Sequence, residues 1–284
     1  LPTVRTLTHI QINIIQTVTV TLNRPGVRNA INAKMWREIG TIFRTLGSDG
    51  NECRCILLVG EGKSFCAGID ITDESFGLME QANNENESDI ARRYLSFRSK
   101  ILEMQACLTA IEECPVPVVA AIHGACIGAG IDLSSCADIR ICSPTAKFSV
   151  REARLGLAAD VGTLQRLPKI CGHGSRIREL CLTGMDFDAA EAARIGFVSR
   201  VCVEEDVFGT AMKVCERIAL NSPVAVQGTK LSLNYSRDHS VKEGLEHIAM
   251  HNSAALMTDD LMASVMASNV NSGTFKRMLP QARL

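Results

Sequence analysis

Three carboxylates stand in apolar surroundings within one stretch of the chain: Asp132 in Gly130-Ile-Asp-Leu133, Glu152 in Val150-Arg-Glu-Ala153 and Asp160 in Leu157-Ala-Ala-Asp-Val161. An acid removed from water is costly to ionise, so its pKa rises, and several acids close together cannot all carry charge. One member of such a set can hold a proton while another accepts one. Moving a proton between two carbon atoms requires that division of labour. Plainer roles fit the same residues: Asp160 could cap a helix opening at Val161, Glu152 could pair with Arg151 or Arg154, and Asp132 could be a solvated acid in a first helical turn.

Glycine-rich turns flank the acids. Gly124-Ala-Cys-Ile-Gly-Ala-Gly130 ends a strand-like run and opens a helix-like one, which presents backbone N–H groups to an anion at a helix N-terminus. The Ala129 N–H is one such donor. The Ile69 N–H of Cys66-Ala-Gly-Ile-Asp70 could converge with it to make the paired donors of an oxyanion hole. Equally, the glycines could serve only to allow tight turns. The run is not a dinucleotide-binding fingerprint, because Leu133 stands where the third glycine would be.

Other chemistries find less support. Ser175 lies in Gly172-His-Gly-Ser-Arg176, which is not a nucleophile elbow. His247 and His251 share a helix face but lack the glutamate of a zinc-binding pair. The 12 cysteines lie singly, or as Cys53-Arg-Cys55, in apolar runs where a thiol acts as a small hydrophobe. No Cys-x-x-Cys pair occurs, so no metal and a reducing compartment are expected. A net charge of -1 without a strong local basic patch argues against nucleic-acid partners. No apolar run approaches the roughly 20 residues of a membrane-spanning helix.

The elements that must position these groups alternate between strand and helix. Residues 12–22 are β-branched and partly alternating, as in a half-buried strand, and Asn23-Arg-Pro-Gly-Val-Arg28 breaks the run. Met35, Ile39, Ile42, Phe43 and Leu46 recur at helical spacing behind Asn32, a good N-cap. A strand over 53–60, a polar and acidic excursion over 73–89, a long helix over 90–113 and a strand over 117–123 follow. Short strands are expected over 139–142 and 147–150, then helices over 162–170, 176–182, 189–195 and 203–221. Beyond Ser222-Pro223 the chain reads as helical, with segments over 241–257 and 259–270. At 284 residues and 46% hydrophobic, it can bury a sizeable α/β core, assigned to 1–203, with a helical region over 204–284.

Asn23-Arg-Pro25 with Arg28-Asn-Ala-Ile-Asn32, Phe65-Cys-Ala-Gly-Ile-Asp-Ile71, Ala121-Ile-His-Gly124, Gly128-Ala-Gly130 and Ala137-Asp-Ile-Arg140 together resemble the enoyl-CoA hydratase/isomerase (crotonase) superfamily over nearly the whole chain. The three acids, with the run from Leu157 to Pro168, Ser222-Pro-Val-Ala-Val-Gln227 and Tyr235-Ser-Arg-Asp-His-Ser-Val241, are similar to its dienoyl-CoA isomerase branch. The resemblance implies an α/β spiral of ββα turns with a helical C-terminal trimerisation region, assembled as a homotrimer or a homohexamer. It implies an acyl-CoA thioester substrate, which itself carries the coenzyme A, and no separate cofactor. The thioester oxygen would lie between the N–H groups of Ile69 and Ala129. Arg28, Ala30, Ala67, Gly68, Asp70 and Ile71 match the family's CoA-binding segments, and Phe275 and Lys276 would reach a neighbouring subunit's CoA.

The implied reaction converts 3,5-dienoyl-CoA to 2,4-dienoyl-CoA in unsaturated fatty-acid β-oxidation. Glu152 would act as base and Asp160 as acid, with Asp132 tuning their shared titration. Ordinary hydratases carry glutamate at the positions of both Asp132 and Glu152, so 2-enoyl-CoA hydration is the alternative, beside Δ3-Δ2-enoyl-CoA isomerisation. A non-enzymatic RNA-binding homologue would need a densely basic helix, whereas 32–46 holds only Lys34, Arg37 and Arg44. The chain departs from the family at Ala129, where glycine is usual. Ala282-Arg283-Leu284 resembles a peroxisomal ending, and a start at Leu1 rather than Met leaves a leader open, so a peroxisome- or glycosome-type organelle or the mitochondrion is expected.

Overall fold

The computed structural model describes residues 8–12, 16–48, 52–73, 89–203 and 206–266. Nine strands occur among them: β1 (Thr8–Ile12), β2 (Thr17–Leu22), β3 (Cys55–Gly60), β4 (Val118–Ile122), β5 (Ala125–Ile127), β6 (Ile139–Cys142), β7 (Lys147–Ser149), β8 (Phe187–Asp188) and β9 (Arg200–Val201). The larger sheet runs β1-β2-β3-β4-β6-β9 and is parallel except for the antiparallel β1–β2 pair. The smaller sheet runs β5-β7-β8. Of the strand expected over 12–22, residues 17–22 form β2, which pairs antiparallel with β1; residues 13–15 lie outside the described residues. Gln16, just before β2, adopts a left-handed φ of 56°, which its residue type does not announce.

The helices are α1 (Ala33–Gly47), α2 (Ile90–Glu113), α3 (Ala129–Ser135), α4 (Thr163–Ile170), α5 (Gly174–Thr183), α6 (Ala189–Arg194), α7 (Val207–Ala219), α8 (Pro223–Asp238), α9 (Val241–Ala255) and α10 (Asp259–Met266). The Asn32 side chain caps α1 by accepting from Met35 N at 2.9 Å, and Pro115 follows the end of α2. Side chains alternate across β3 as the pleat requires. Ile56 and Leu58 join the core that includes Trp36, Ile39 and Phe43 of α1 and Leu108 of α2. Cys55, Leu57 and Val59 join the opposite layer, with Ala211 and Cys215 of α7. Burial on both faces explains why β3 and β4 read as continuous apolar runs.

The helical region is tied to the sheet by Lys230 of α8, whose Nζ lies 2.8 Å from Asp138 Oδ2 and donates to the Val116 carbonyl at 3.2 Å. None of the described helices is long and apolar enough to cross a membrane. Residues 74–88, Phe275, Lys276 and Ala282-Arg283-Leu284 lie outside the described residues.

Candidate active site

The site forms where two strand ends turn beside each other. The segment after β3 zips onto β4 and β5 through Phe65 N to His123 O (2.8 Å), Cys66 N to Ala125 O (2.9 Å) and Ile127 N to Cys66 O (3.0 Å). This brings Gly68 and Gly128 together. Gly68 has φ 107° and Gly128 φ 53° with ψ -119°, so both need glycine's freedom. A Cβ placed on Gly128 would lie 3.9 Å from Gly68 Cα and only 3.1 Å from Glu152 Oε1. The next residues are Ile69 and Ala129, and among the described residues neither amide donates a backbone hydrogen bond. Ala129 is 6% exposed and packs in the core, so the methyl that distinguishes it from glycine is accommodated there.

A scaffold holds the Ile69 loop from its other side. Ala67 N donates to Arg28 O (2.9 Å), Ile31 N to Gly68 O (2.8 Å) and Asp70 N to Ile31 O (2.9 Å). These bonds gather Arg28, Ala30, Ala67, Gly68, Asp70 and Ile71 along one strip, with Arg28 and Ile71 exposed. The left-handed pair Arg28 and Asn29 makes the necessary turn. Asn29 is fully buried: its Oδ1 accepts from Arg24 N, and its Nδ2 donates to the carbonyls of Glu61 and Ser64. Arg24 Nη1 reaches both the Ala30 carbonyl and, at 2.9 Å, Asp70 Oδ2. Hydrogen bonding from Thr72, joined by Arg24, holds the Asp70 carboxyl below the usual carboxylate range despite partial burial. The Asp70 side chain therefore orders its own loop. Arg24 and Asn29 were not singled out from sequence, although their motif was.

Asp132 lies in the first turn of α3 and is 1% exposed. Its Oδ1 accepts a hydrogen bond from Thr163 N, the first residue of α4, at 2.7 Å. Burial pushes its pKa up to about 7, the charges of Glu152 and Asp160 add to the rise, and the Thr163 bonds oppose it. Glu152 opens a 3-10 turn after β7. It is 9% exposed, and its Oε2 is buried without a hydrogen-bond partner among the described residues. Burial raises its pKa, as does the charge of Asp160. Asp160 sits between buried Ala159 and Val161, with its own side chain at the solvent edge, and partial burial raises its pKa too.

The plainer readings of the acids do not hold. The helix after Asp160 opens at Thr163, and its first N–H meets Asp132 instead. Arg151 pairs with Asp186, and Arg154 Nε donates to the Thr183 carbonyl, so neither serves Glu152. Asp132 is not solvated. Thr163 and Gln105, which donates from α2 to the Asp160 carbonyl, are contacts the sequence did not reveal.

A largely parallel sheet wrapped by helices, with two amides that donate no backbone hydrogen bond among the described residues, Glu152 against the Gly128 turn, and the pKa values of Asp132 and Asp160 raised with its own, has the equipment of an acid–base enzyme acting next to a carbonyl. The chain belongs to the enoyl-CoA hydratase/isomerase family, whose profile matches residues 13–267. It is 46% identical over 250 residues to the mitochondrial Delta(3,5)-Delta(2,4)-dienoyl-CoA isomerase of Rattus norvegicus, covering 88% of this chain and 75% of that protein. It is 42% identical over 247 residues to the peroxisomal Delta(3,5)-Delta(2,4)-dienoyl-CoA isomerase of Arabidopsis thaliana, covering 87% of each. The crystal structure of an enoyl-CoA hydratase from Bacillus anthracis matches the fold with a TM-score of 0.83 at 26% identity, over 95% of this chain and 98% of that one. The expected crotonase-type α/β fold is the one observed.

Proposed function

We propose that this chain is a dienoyl-CoA isomerase that converts 3,5-dienoyl-CoA into 2,4-dienoyl-CoA. The observation that carries this reading is the third acid: the charge of Asp160 reaches both Asp132 and Glu152, and Glu152 in turn lies against the Gly128 turn that precedes the Ala129 amide. The relatives named as dienoyl-CoA isomerases support it.

In the reaction the thioester oxygen accepts hydrogen bonds from the N–H groups of Ile69 and Ala129. The carbonyl so polarised makes the C2 proton acidic, and ionised Glu152 removes it. The released pair forms C2=C3 as the C3=C4 pair moves to C4=C5. The C5=C6 pair then takes the proton of Asp160 at C6. Between these steps the dienolate charge rests on the thioester oxygen, where the two amides hold it. Glu152 ends protonated and Asp160 ionised, and proton exchange resets them. Asp132 sets the titration that the three acids share, so apparent pKa values belong to the set.

The CoA moiety would lie along Arg28, Ala30 and the segment from Ala67 to Ile71, with Asp70 acting there through its loop. The substrate brings its own CoA, and the proton shift calls for no other group. Residues 204–284 would supply the surface for a homotrimer or homohexamer. The mitochondrial and peroxisomal names of the relatives support one of those organelles, where unsaturated fatty acids are oxidised. Incubation with a 3,5-dienoyl-CoA and, separately, a 2-trans-enoyl-CoA tests the reading by ultraviolet absorbance. Appearance of the conjugated 2,4-dienoyl thioester supports it; reaction of the enoyl substrate alone would make the protein a hydratase.

A further inference from the structure

Gln105 lies on a part of α2 that the reaction above does not use, and its side-chain Nε2 donates to the backbone carbonyl of Asp160 at 2.5 Å. On the same helix face, Thr109 Oγ1 accepts from Arg166 Nη2 at 3.1 Å and Glu112 Oε2 accepts from Arg166 Nε at 2.8 Å. Residues 105, 109 and 112 share that face by helical periodicity. The Arg166 guanidinium folds over Gly162, where an added Cβ would collide with Nη1. Asp132 then holds Thr163 N. Positions 160 and 163 are therefore each held by a hydrogen bond to a polar side chain, and Arg166, tied to α2 through Thr109 and Glu112, lies over Gly162 between them.

We infer that Gln105 is a positioning residue for Asp160, fixing the peptide from which that acid delivers its proton to the far end of the diene. The inference rests on the isomerase reading and deepens it. Buried Ala159 and Val161 anchor the backbone on either side of Asp160, but neither sets the rotation of the Asp160 peptide plane. The Gln105 bond does, because an amide N–H defines one direction of approach to a carbonyl oxygen. Glu152 stands on a separate turn after β7 and owes nothing to this bond. Loss of the Gln105 donor therefore acts mainly on protonation at C6, and reaches proton abstraction at C2 only through the charge that Asp160 sets near Glu152. A misplacement of about 1 Å can cost on the order of 100-fold in rate.

The test is Gln105→Met, which keeps the length of the side chain and removes the donor. Turnover of 3,5-dienoyl-CoA and exchange of the substrate C2 proton with deuterated solvent are measured side by side, with wild type as reference. The expected result is a fall in kcat of roughly 10- to 100-fold, a KM within about twofold, and a ratio of C2 exchange to turnover that rises by about the factor lost from kcat. Retained C2 exchange also reports a folded site. Unchanged turnover, or equal losses of exchange and turnover, would overturn the positioning role. Wild-type protein that forms no 2,4-diene would instead overturn the isomerase reading, and the inference with it.

Discussion

The Asp132 carboxylate meets the backbone N–H of Thr163 at 2.7 Å, so a buried acid of α3 satisfies the first orphan donor of α4. One side chain thus couples the charge state of the acid set to the geometry of the segment that carries Asp160.

That coupling gives stability a pH dependence. Burial raises the folded pKa of Asp132 from 3.8 to about 7, so the folded state binds the proton more tightly than the unfolded chain. Both states are protonated below the unfolded value, where Asp132 carries no penalty. As pH rises from about 4 to about 7 the unfolded chain ionises first, and this contribution to stability falls. Asp132→Asn, which keeps an oxygen for Thr163 N, should match wild type near pH 4 and exceed it at pH 7.5 by up to about 4 kcal/mol, since each tenfold difference in proton affinity between the two states is worth about 1.4 kcal/mol. Urea denaturation at the two pH values measures it, and equal stability at both would contradict the coupling.

The turn at Gly128 offers a steric test. A Cβ there sits 3.1 Å from Glu152 Oε1 on a backbone with φ 53° and ψ -119°. Gly128→Ala should cost about 1–3 kcal/mol through strain and reduce kcat by displacing the base. Thermal melting and steady-state kinetics read the two effects.

Asn29 should matter more than its distance from the acids suggests. Asn29→Ala leaves the Glu61 and Ser64 carbonyls and the Arg24 amide without their partner. An unmade buried hydrogen bond costs about 1–3 kcal/mol, so with three partners lost, two of them only partly buried, a loss of at least about 3 kcal/mol is expected, with lower kcat because the loop that presents the Ile69 amide loosens. Wild-type stability in this variant would contradict the scaffold role.

The rate should also report the raised pKa values of Glu152 and Asp160. Activity falls on the acid side as Glu152 takes a proton and on the alkaline side as the proton donor is lost. Asp160→Asn should abolish the alkaline limb in whatever activity remains, read from a pH profile of kcat/KM.

Much of this was legible in the sequence, for identifiable reasons. The helix from Ile90 to Glu113 and the strand from Ile139 to Cys142 have the bounds expected of them, because turn and proline signals bracket each apolar pattern. Acids in apolar runs announced themselves by their cost of ionisation. Their supports did not: Thr163 lies 31 positions from Asp132 and Gln105 55 from Asp160, so only the folded chain brings them together. The antiparallel partner β1 escaped because the run before β2 carries no glycine or proline signal, and a left-handed backbone at glutamine has no compositional mark. The sequence leaves the Ile69 and Ala129 amides open between paired donors and plain turn residues, and the closeness of Gly68 to Gly128, where an added Cβ would lie 3.9 Å from Gly68 Cα, supports the former.

In the proposed reaction Asp160 supplies the proton that completes the 3,5- to 2,4-dienoyl shift. The most direct test of that role is the formation rate of the 2,4-dienoyl thioester from 3,5-dienoyl-CoA in wild type and Asp160→Asn, followed by ultraviolet absorbance. Conversion by wild type and a loss of roughly 100-fold or more in the variant are expected. Near-full activity of Asp160→Asn, or a wild type that hydrates 2-trans-enoyl-CoA and leaves the 3,5-diene untouched, would contradict it.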